Sequence, residues 1–170
     1  FNYNYDNKYL VMASLRREGS SKFGDNYKWG NFPAVSLGWR ISSESFMSNL
    51  NFIHELKLRA GYGVTGTAPN DPYQSQTSLN YGDRFLYNGK WIQGIEPVRN
   101  PNPDLRWEKK EELNLGLDFA FLKGIVSGSV DLYKRTTRDM LYDYPVPKPP
   151  YLLGSILANA AEMENKGVEI

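Results

Sequence analysis

The clearest pattern in the chain is the strict alternation between residues 54 and 65, where Leu56, Leu58, Ala60, Tyr62 and Val64 are separated by Glu55, Lys57, Arg59, Gly61, Gly63 and Thr65. A period of two places these sets on opposite faces of a strand. The same parity sets Tyr9, Val11, Ala13 and Leu15 against Lys8, Ser14, Arg16 and Glu18, although Leu10 and Met12 blur the polar side. Within 32 to 41, Val35, Leu37, Trp39 and Ile41 point one way and Ala34, Ser36, Gly38 and Arg40 the other. Leu113, Leu115, Leu117, Phe119 and Phe121 alternate with Glu112, Asn114, Gly116, Asp118 and Ala120, and Leu122-Lys123-Gly124 then offers a tight turn. The return strand starts near Ile125, with Val126, Val130 and Leu132 facing away from Ser127, Ser129, Asp131 and Tyr133. Residues 135 to 142 are polar and ambiguous. Phe1 to Tyr5 alternates like the tail of a strand and Gly167 to Ile170 like the opening of another, so both ends read as lying inside strands.

Connections alternate between shorter ones, at 6 to 7, 42 to 53 and 122 to 124, and longer ones, at 19 to 31, 66 to 104 and 142 to 161. Ser45 to Leu50 reads as one helical turn with Ser42 or Ser43 as its cap. The expected fold is all-β: an antiparallel meander of at least five strands forming part of a large transmembrane β-barrel, with 1–170 as a partial barrel domain. Leu56, Leu58, Tyr62, Val35, Leu37, Trp39, Leu115 and Leu117 should then share the convex face, and Arg40, Lys57, Arg59, Asn114 and Asp118 the concave one. A soluble β-sandwich shows the same alternation turned inside out. Strand length separates the two, because soluble strands run about 5 to 6 residues and a tilted membrane strand needs about 10.

Composition narrows this further. No run approaches the ~18 apolar residues of a membrane helix, and a β-barrel is the remaining way to cross a bilayer. The formal charge of +1, from 20 basic and 19 acidic residues, gives no electrostatic case for nucleic acid. Cysteine is absent, which removes disulfides, thiolate metal sites and thiol nucleophiles. His54 is the only histidine, so no two-histidine metal motif exists, and it reads as an interfacial or turn residue. Gly61-Tyr62-Gly63-Val64-Thr65-Gly66 fits the letters of a dinucleotide-binding turn, but the glycines lie inside a strand and Thr67-Ala68-Pro69 follows where a helix should begin. Those glycines read as relief of crowding. Asp83, Glu96, Glu111, Glu112 and Asp118 supply carboxylates without a catalytic spacing, and no catalytic residue, metal or cofactor is assigned. The longest loop holds Tyr73, Tyr81, Phe85, Tyr87 and Trp91, rings suited to stacking on sugar faces or clasping a partner.

Several strings together resemble the barrel of SusC/RagA-type TonB-linked outer-membrane proteins. They run in that family's order from residues 13–24 (ASLRREGSSKFG) and 32–41 (FPAVSLGWRI) through 56–66 (LKLRAGYGVTG) to 102–108 (NPDLRWE) and 163–170 (MENKGVEI). The resemblance implies a plugged barrel of the 22-stranded importer class, of which this chain supplies six or seven later strands, with plug and TonB-contacting segment upstream and the final strands downstream. It also implies import of glycan or peptide pieces under a SusD-like surface lipoprotein lid, with TonB supplying energy. It names no substrate-contacting residue. The other function class weighed on the sequence is a soluble carbohydrate-binding β-sandwich.

Overall fold

The computed structural model describes residues 1–170. Seven strands form one antiparallel sheet: β1 (Asn2–Tyr5), β2 (Tyr9–Gly19), β3 (Trp29–Arg40), β4 (Ile53–Thr67), then β7 (Glu108–Phe121), β8 (Val126–Pro145) and β9 (Ser155–Glu169). Each strand pairs with the next in this order, so the sheet is a meander interrupted once. The interruption lies between β4 and β7 and contains a separate hairpin, β5 (Leu79–Tyr87) and β6 (Lys90–Pro97). Residues 66 to 104 are therefore not a structureless loop, and the reading of one long loop is corrected.

Register confirms the parity. Trp39, Leu58 and Leu117 stand opposite one another across β3, β4 and β7, as do Val35, Tyr62 and Leu113. On the other face Lys57 lies between Arg40 and Asp118, and Arg59 lies between Gly38 and Gly116. The apolar face is uncovered: Leu37 is 50% exposed and Leu115 45%. No second sheet packs on it, and only 12 of 170 residues are buried. A sandwich of this composition would hide those leucines in a shared core. The sandwich alternative is thereby overturned, and β2, β3, β4, β7, β8 and β9 all have 11 or more residues, enough to span a bilayer at a tilt.

The short connections lie at one end of the sheet. Asp6 and Asn7 both take positive φ, as do Leu122, Lys123 and Gly124, so these hairpins reverse in few residues. The third short connection holds two single-turn 3₁₀ helices, Ile41–Ser43 and Ser45–Met47, neither with a side-chain cap. The expected Ser42 or Ser43 cap is corrected. Glu44, which separates the two turns, has another task. Its Oε1 accepts from the Tyr9 hydroxyl at 2.6 Å and the Trp39 indole at 3.0 Å. Two apolar-face aromatics thus anchor their polar tips at the rim, beside the Phe119–Phe121 and Phe52–Phe121 stacks. Rings gathered at one level suit an interfacial girdle of a membrane barrel.

The Tyr9 hydroxyl, then the Trp39 N–H, hold the Glu44 carboxyl below the usual carboxylate range. A depressed native pKa contributes stability above the unfolded-state value of about 4.3, and that stability is lost as pH falls through the native value. A Glu44→Gln variant of the full-length protein should melt at a temperature that changes less between pH 6 and pH 3 than wild type. Equal acid sensitivity in detergent would refute the contribution.

His54 sits in β4, where the pairing with β7 shifts between Ile53 and Glu55, so it is a bulge residue rather than a turn residue. At the far end, β8 runs 20 residues to Pro145 and β9 opens at Ser155, leaving 146–154 as the connection. The expected connection of 142 to 161 was too long.

Candidate functional site

Two places concentrate polar chemistry. The first is the polar face at mid-sheet. Arg59 donates from Nε and Nη2 to the two carboxylate oxygens of Asp118, both at 2.8 Å, and from Nη2 to Asp131 at 3.1 Å. This fork joins β4, β7 and β8. Gly116 permits it, because a Cβ there would stand 2.5 Å from Asp131 Oδ1 and 2.6 Å from Arg59 Nη2. Further up the same face, Arg135 donates to Glu112 at 2.9 Å. Asp118 and Glu112 are thus held by arginines. No group of three or more His, Asp and Glu side chains is gathered for a metal ion.

The second place is the long-loop end, where residues 68 to 107 leave the sheet and return. The return is a buried clasp. Phe23, Phe32, Leu105 and Trp107 form the hydrophobic cluster of the chain, with Phe23 and Trp107 ring centres 4.7 Å apart. Phe32 reaches beyond the last β3–β4 partners, Ala34 and Gly63, into the space left open by Gly66. Gly66, rather than Gly61, is thus the glycine that relieves crowding, since nothing lies within 4 Å of a Cβ at Gly61. No helix follows these glycines, so the dinucleotide-turn letters are accidental.

Asparagine amides complete the clasp by standing in for backbone. Asn100 donates to the carbonyls of Leu153 at 2.8 Å and Ser155 at 2.7 Å, and its Oδ1 accepts from the Leu152 and Leu153 N–H groups. Asn102 donates to the Leu157 carbonyl, and Asn159 donates to those of Arg106 and Asp139. On the opposite side Lys22 Nζ donates to the carbonyls of Pro69 and Asn70, and Gly24 N–H donates to that of Leu105. Arg106, bonded to Asp139 at 2.7 Å, is held firmly in its charged form by that carboxylate. The string 102–108 is thus a keystone tying the 20–28 loop to the β8–β9 hairpin.

From this rooted base the β5–β6 hairpin projects. Asn88 and Gly89 both take positive φ, the geometry of a primed two-residue turn. The five aromatics separate. Tyr81 and Trp91 share one face with Leu79, Leu86 and Ile95; Phe85 and Tyr87 lie on the other with Ile92. Tyr73 is outside the hairpin, in the turn closed by Gln76 N–H to its carbonyl. All five are exposed, Tyr81 most at 76%. The sequence carried a signal for this hairpin in Asn88-Gly89 between hydrophobic runs.

A family model described as "TonB dependent receptor-like, beta-barrel" matches residues 1–170. This chain belongs to the TonB-dependent receptor β-barrel family. It is 45% identical over 168 residues to TonB-dependent receptor P39 of Formosa agariphila, covering 99% of this chain and 16% of that protein. It is 34% identical over 182 residues to TonB-dependent receptor SusC of Bacteroides thetaiotaomicron, covering 99% and 17%. Among solved structures, the RagAB peptide importer in its "closed-closed" state superposes with a TM-score of 0.85 at 31% identity, over 98% of this chain and 18% of that one. The chain thus spans about a sixth of the length of the curated relatives it matches. The SusC/RagA resemblance of its strings agrees with both sets of relatives.

Proposed function

We propose that this chain is a section of the wall of an energised outer-membrane importer for glycan or peptide nutrients, working with a SusD-like lipoprotein lid and the TonB complex. The observation that carries this reading is one sheet with an uncovered apolar face and a charged opposite face, which suits a wall between lipid and a wet lumen. Likeness to SusC and to the RagAB peptide importer supports the transported class. The remaining strands and the plug belong to other parts of the full protein. The short-turn end faces the periplasm and the long-loop end the cell exterior, as in bacterial barrels. No step of bond chemistry is assigned to this chain; its residues shape a passage.

The hairpin then stands at the outer mouth, where Tyr73, Tyr81, Phe85, Tyr87 and Trp91 contact the ligand or the lid. An isolated two-stranded ribbon is marginal in water, and one with apolar side chains on both faces gains from a partner. In the full-length protein with its lid, the Tyr81→Ala/Trp91→Ala double variant should weaken lid association or ligand uptake by about tenfold or more, from rings worth roughly 1 kcal/mol each. Unchanged uptake and lid affinity in a normally inserted protein would count against the hairpin. Loss of neither on deleting the whole 79–97 segment would remove it from the mechanism.

A further inference from the structure

The apolar face carries one charge that nothing in the chain answers. Along β2, Tyr9, Val11, Ala13 and Leu15 share that face, and Arg17 is the next residue on it. Beside them β3 sets Trp39, Leu37, Val35 and Pro33, so on these two strands Arg17 is the first charge above the apolar band. Its sequence neighbour Arg16 lies on the polar face and is bonded to Glu18, whereas no carboxylate of the chain pairs with Arg17. The Arg17 guanidinium instead stacks on Trp29, 5.0 Å from the ring centre. Trp29 stands in register with Gly19 and is 64% exposed. Gly19 permits the ring to lie there, because a Cβ at that position would stand 3.0 Å from the indole. The indole N–H groups of Trp39 and Trp107 donate within the chain, to Glu44 and to the Lys28 carbonyl; that of Trp29 does not.

The depth of this pair says what meets it. Tyr9 marks the short-turn rim, and Arg17 lies eight residues further along β2. At ~3.4 Å per residue and a tilt of ~40°, that is roughly 20 Å of membrane depth, close to the ~25 Å apolar band of a membrane barrel. Arg17 and Trp29 therefore stand where the band gives way to headgroups, at the long-loop end. A guanidinium spread on an aromatic face keeps its donors in one plane, and that fork fits two oxygens of a phosphate. The free indole N–H beside it offers a further donor, and Leu15, 71% exposed one step below, offers a bed for an acyl chain. We propose that Arg17 and Trp29 form a headgroup site for a phosphate-bearing lipid of the outer leaflet. The inference rests on the wall reading above. A nutrient in transit is excluded, because the pair is on the face turned away from the lumen. A lipid brings anion and apolar chain together at this depth, and a second barrel abutting this face is the alternative that the test separates.

The test uses the full-length protein in nonionic detergent, with a photoreactive diphosphoryl lipid A as probe and mass spectrometry to map the labelled peptides. Labelling of the β2 and β3 peptides should exceed that by the dephosphorylated probe at least fivefold. Arg17→Gln should reduce it at least fivefold and Trp29→Leu by a similar factor. Arg17→Lys, which keeps the charge and loses the fork, should retain part of it, and Arg16→Gln, on the opposite face, should leave it unchanged. Heat-modifiable gel mobility reports barrel folding in each variant, and Arg17→Lys serves where Arg17→Gln fails to insert. Equal labelling by the dephosphorylated probe, or labelling indifferent to Arg17→Gln and Trp29→Leu in folded barrels, would overturn the proposal. So would competition by inorganic phosphate at the probe's own concentration, which makes the site one for the free anion, and so would disulfide-linked pairs of barrels formed by Arg17→Cys in outer membranes, which put a second copy over the pair. Failure of the wall reading would instead show as wild-type protein absent from the outer-membrane fraction.

Discussion

Replacing Gly24 with alanine is expected to open the long-loop end of the sheet while the strands stay paired. An added Cβ would fall far inside van der Waals contact with the Pro103 carbonyl oxygen, and both the Cβ and that oxygen are fixed by the backbone, so no side-chain rotation relieves the clash. The 20–28 loop must back away from residues 100–107, breaking the Gly24 N–H bond to the Leu105 carbonyl and loosening Phe23 from Trp107. Overpacking of this kind costs about 1–3 kcal/mol, and a lost hydrogen bond adds about 1 kcal/mol. Gly61→Ala is the control, since its methyl would enter open space and its cost should stay below ~1 kcal/mol. Hydrogen exchange on the full-length protein in detergent reads the difference. Gly24→Ala should accelerate exchange at Gly24 and Leu152 by about tenfold or more, with strand amides such as Leu115 unaffected. Equal protection in the two variants would show that the clasp does not depend on that approach.

Strand parity was legible wherever one register ran unbroken. Lys57 to Gly63 and Leu113 to Ala120 each keep one register across both neighbours, so two-residue periodicity named their faces correctly. The same reading failed at 135 to 142 because β8 sets two residues, Arg138 and Asp139, against the single Glu162, and β9 then carries an unpaired residue of its own, Ala160. Asp139 takes positive φ at that point. Two bulges invert parity twice, and an alternating pattern cannot be followed through them.

The clasp was invisible for another reason. Asn100, Asn102 and Asn159 act on carbonyls more than fifty residues away or across a bulge, and nothing local in asparagine distinguishes that from turn chemistry. The string 102–108 carries a signal in the sequence only through the family resemblance, which gives no hint that it roots the hairpin. The hairpin itself has a local signal, Asn88-Gly89 between hydrophobic runs, although the length and polar content of the 66 to 104 stretch read as a single loop. Leu10 and Met12 are a different case. They read as noise in the alternation, yet the register places both squarely on the polar face of the sheet, beside Gly38 and Ser36.

Expressed alone in water, the 170-residue chain should associate rather than fold to a monomer. Its sheet has two free edges, β1 and β9, and the second offers 15 residues of half-unpaired backbone. Such an edge templates pairing with another chain. The apolar face compounds this. Leu15, Leu37, Leu113, Leu115, Leu132 and Val168 are each at least 45% exposed, with no layer packed on them. Covering ~400 Å² of such surface contributes roughly 10 kcal/mol at ~25 cal/mol per Å², which offsets the roughly 4–15 kcal/mol cost of association once edge pairing is added. The buried cluster at the long-loop end, four side chains in all, is too small to hold the sheet as an independent domain. Size-exclusion chromatography in detergent-free buffer should show large or polydisperse species, and a thermal melt should lack a cooperative transition. Detergent or lipid should shift the population toward smaller particles by covering the apolar face, yet leave the β9 edge open. A monodisperse monomer with a sharp melt in plain buffer would mean that this section closes a core of its own, and the wall reading would have to be abandoned.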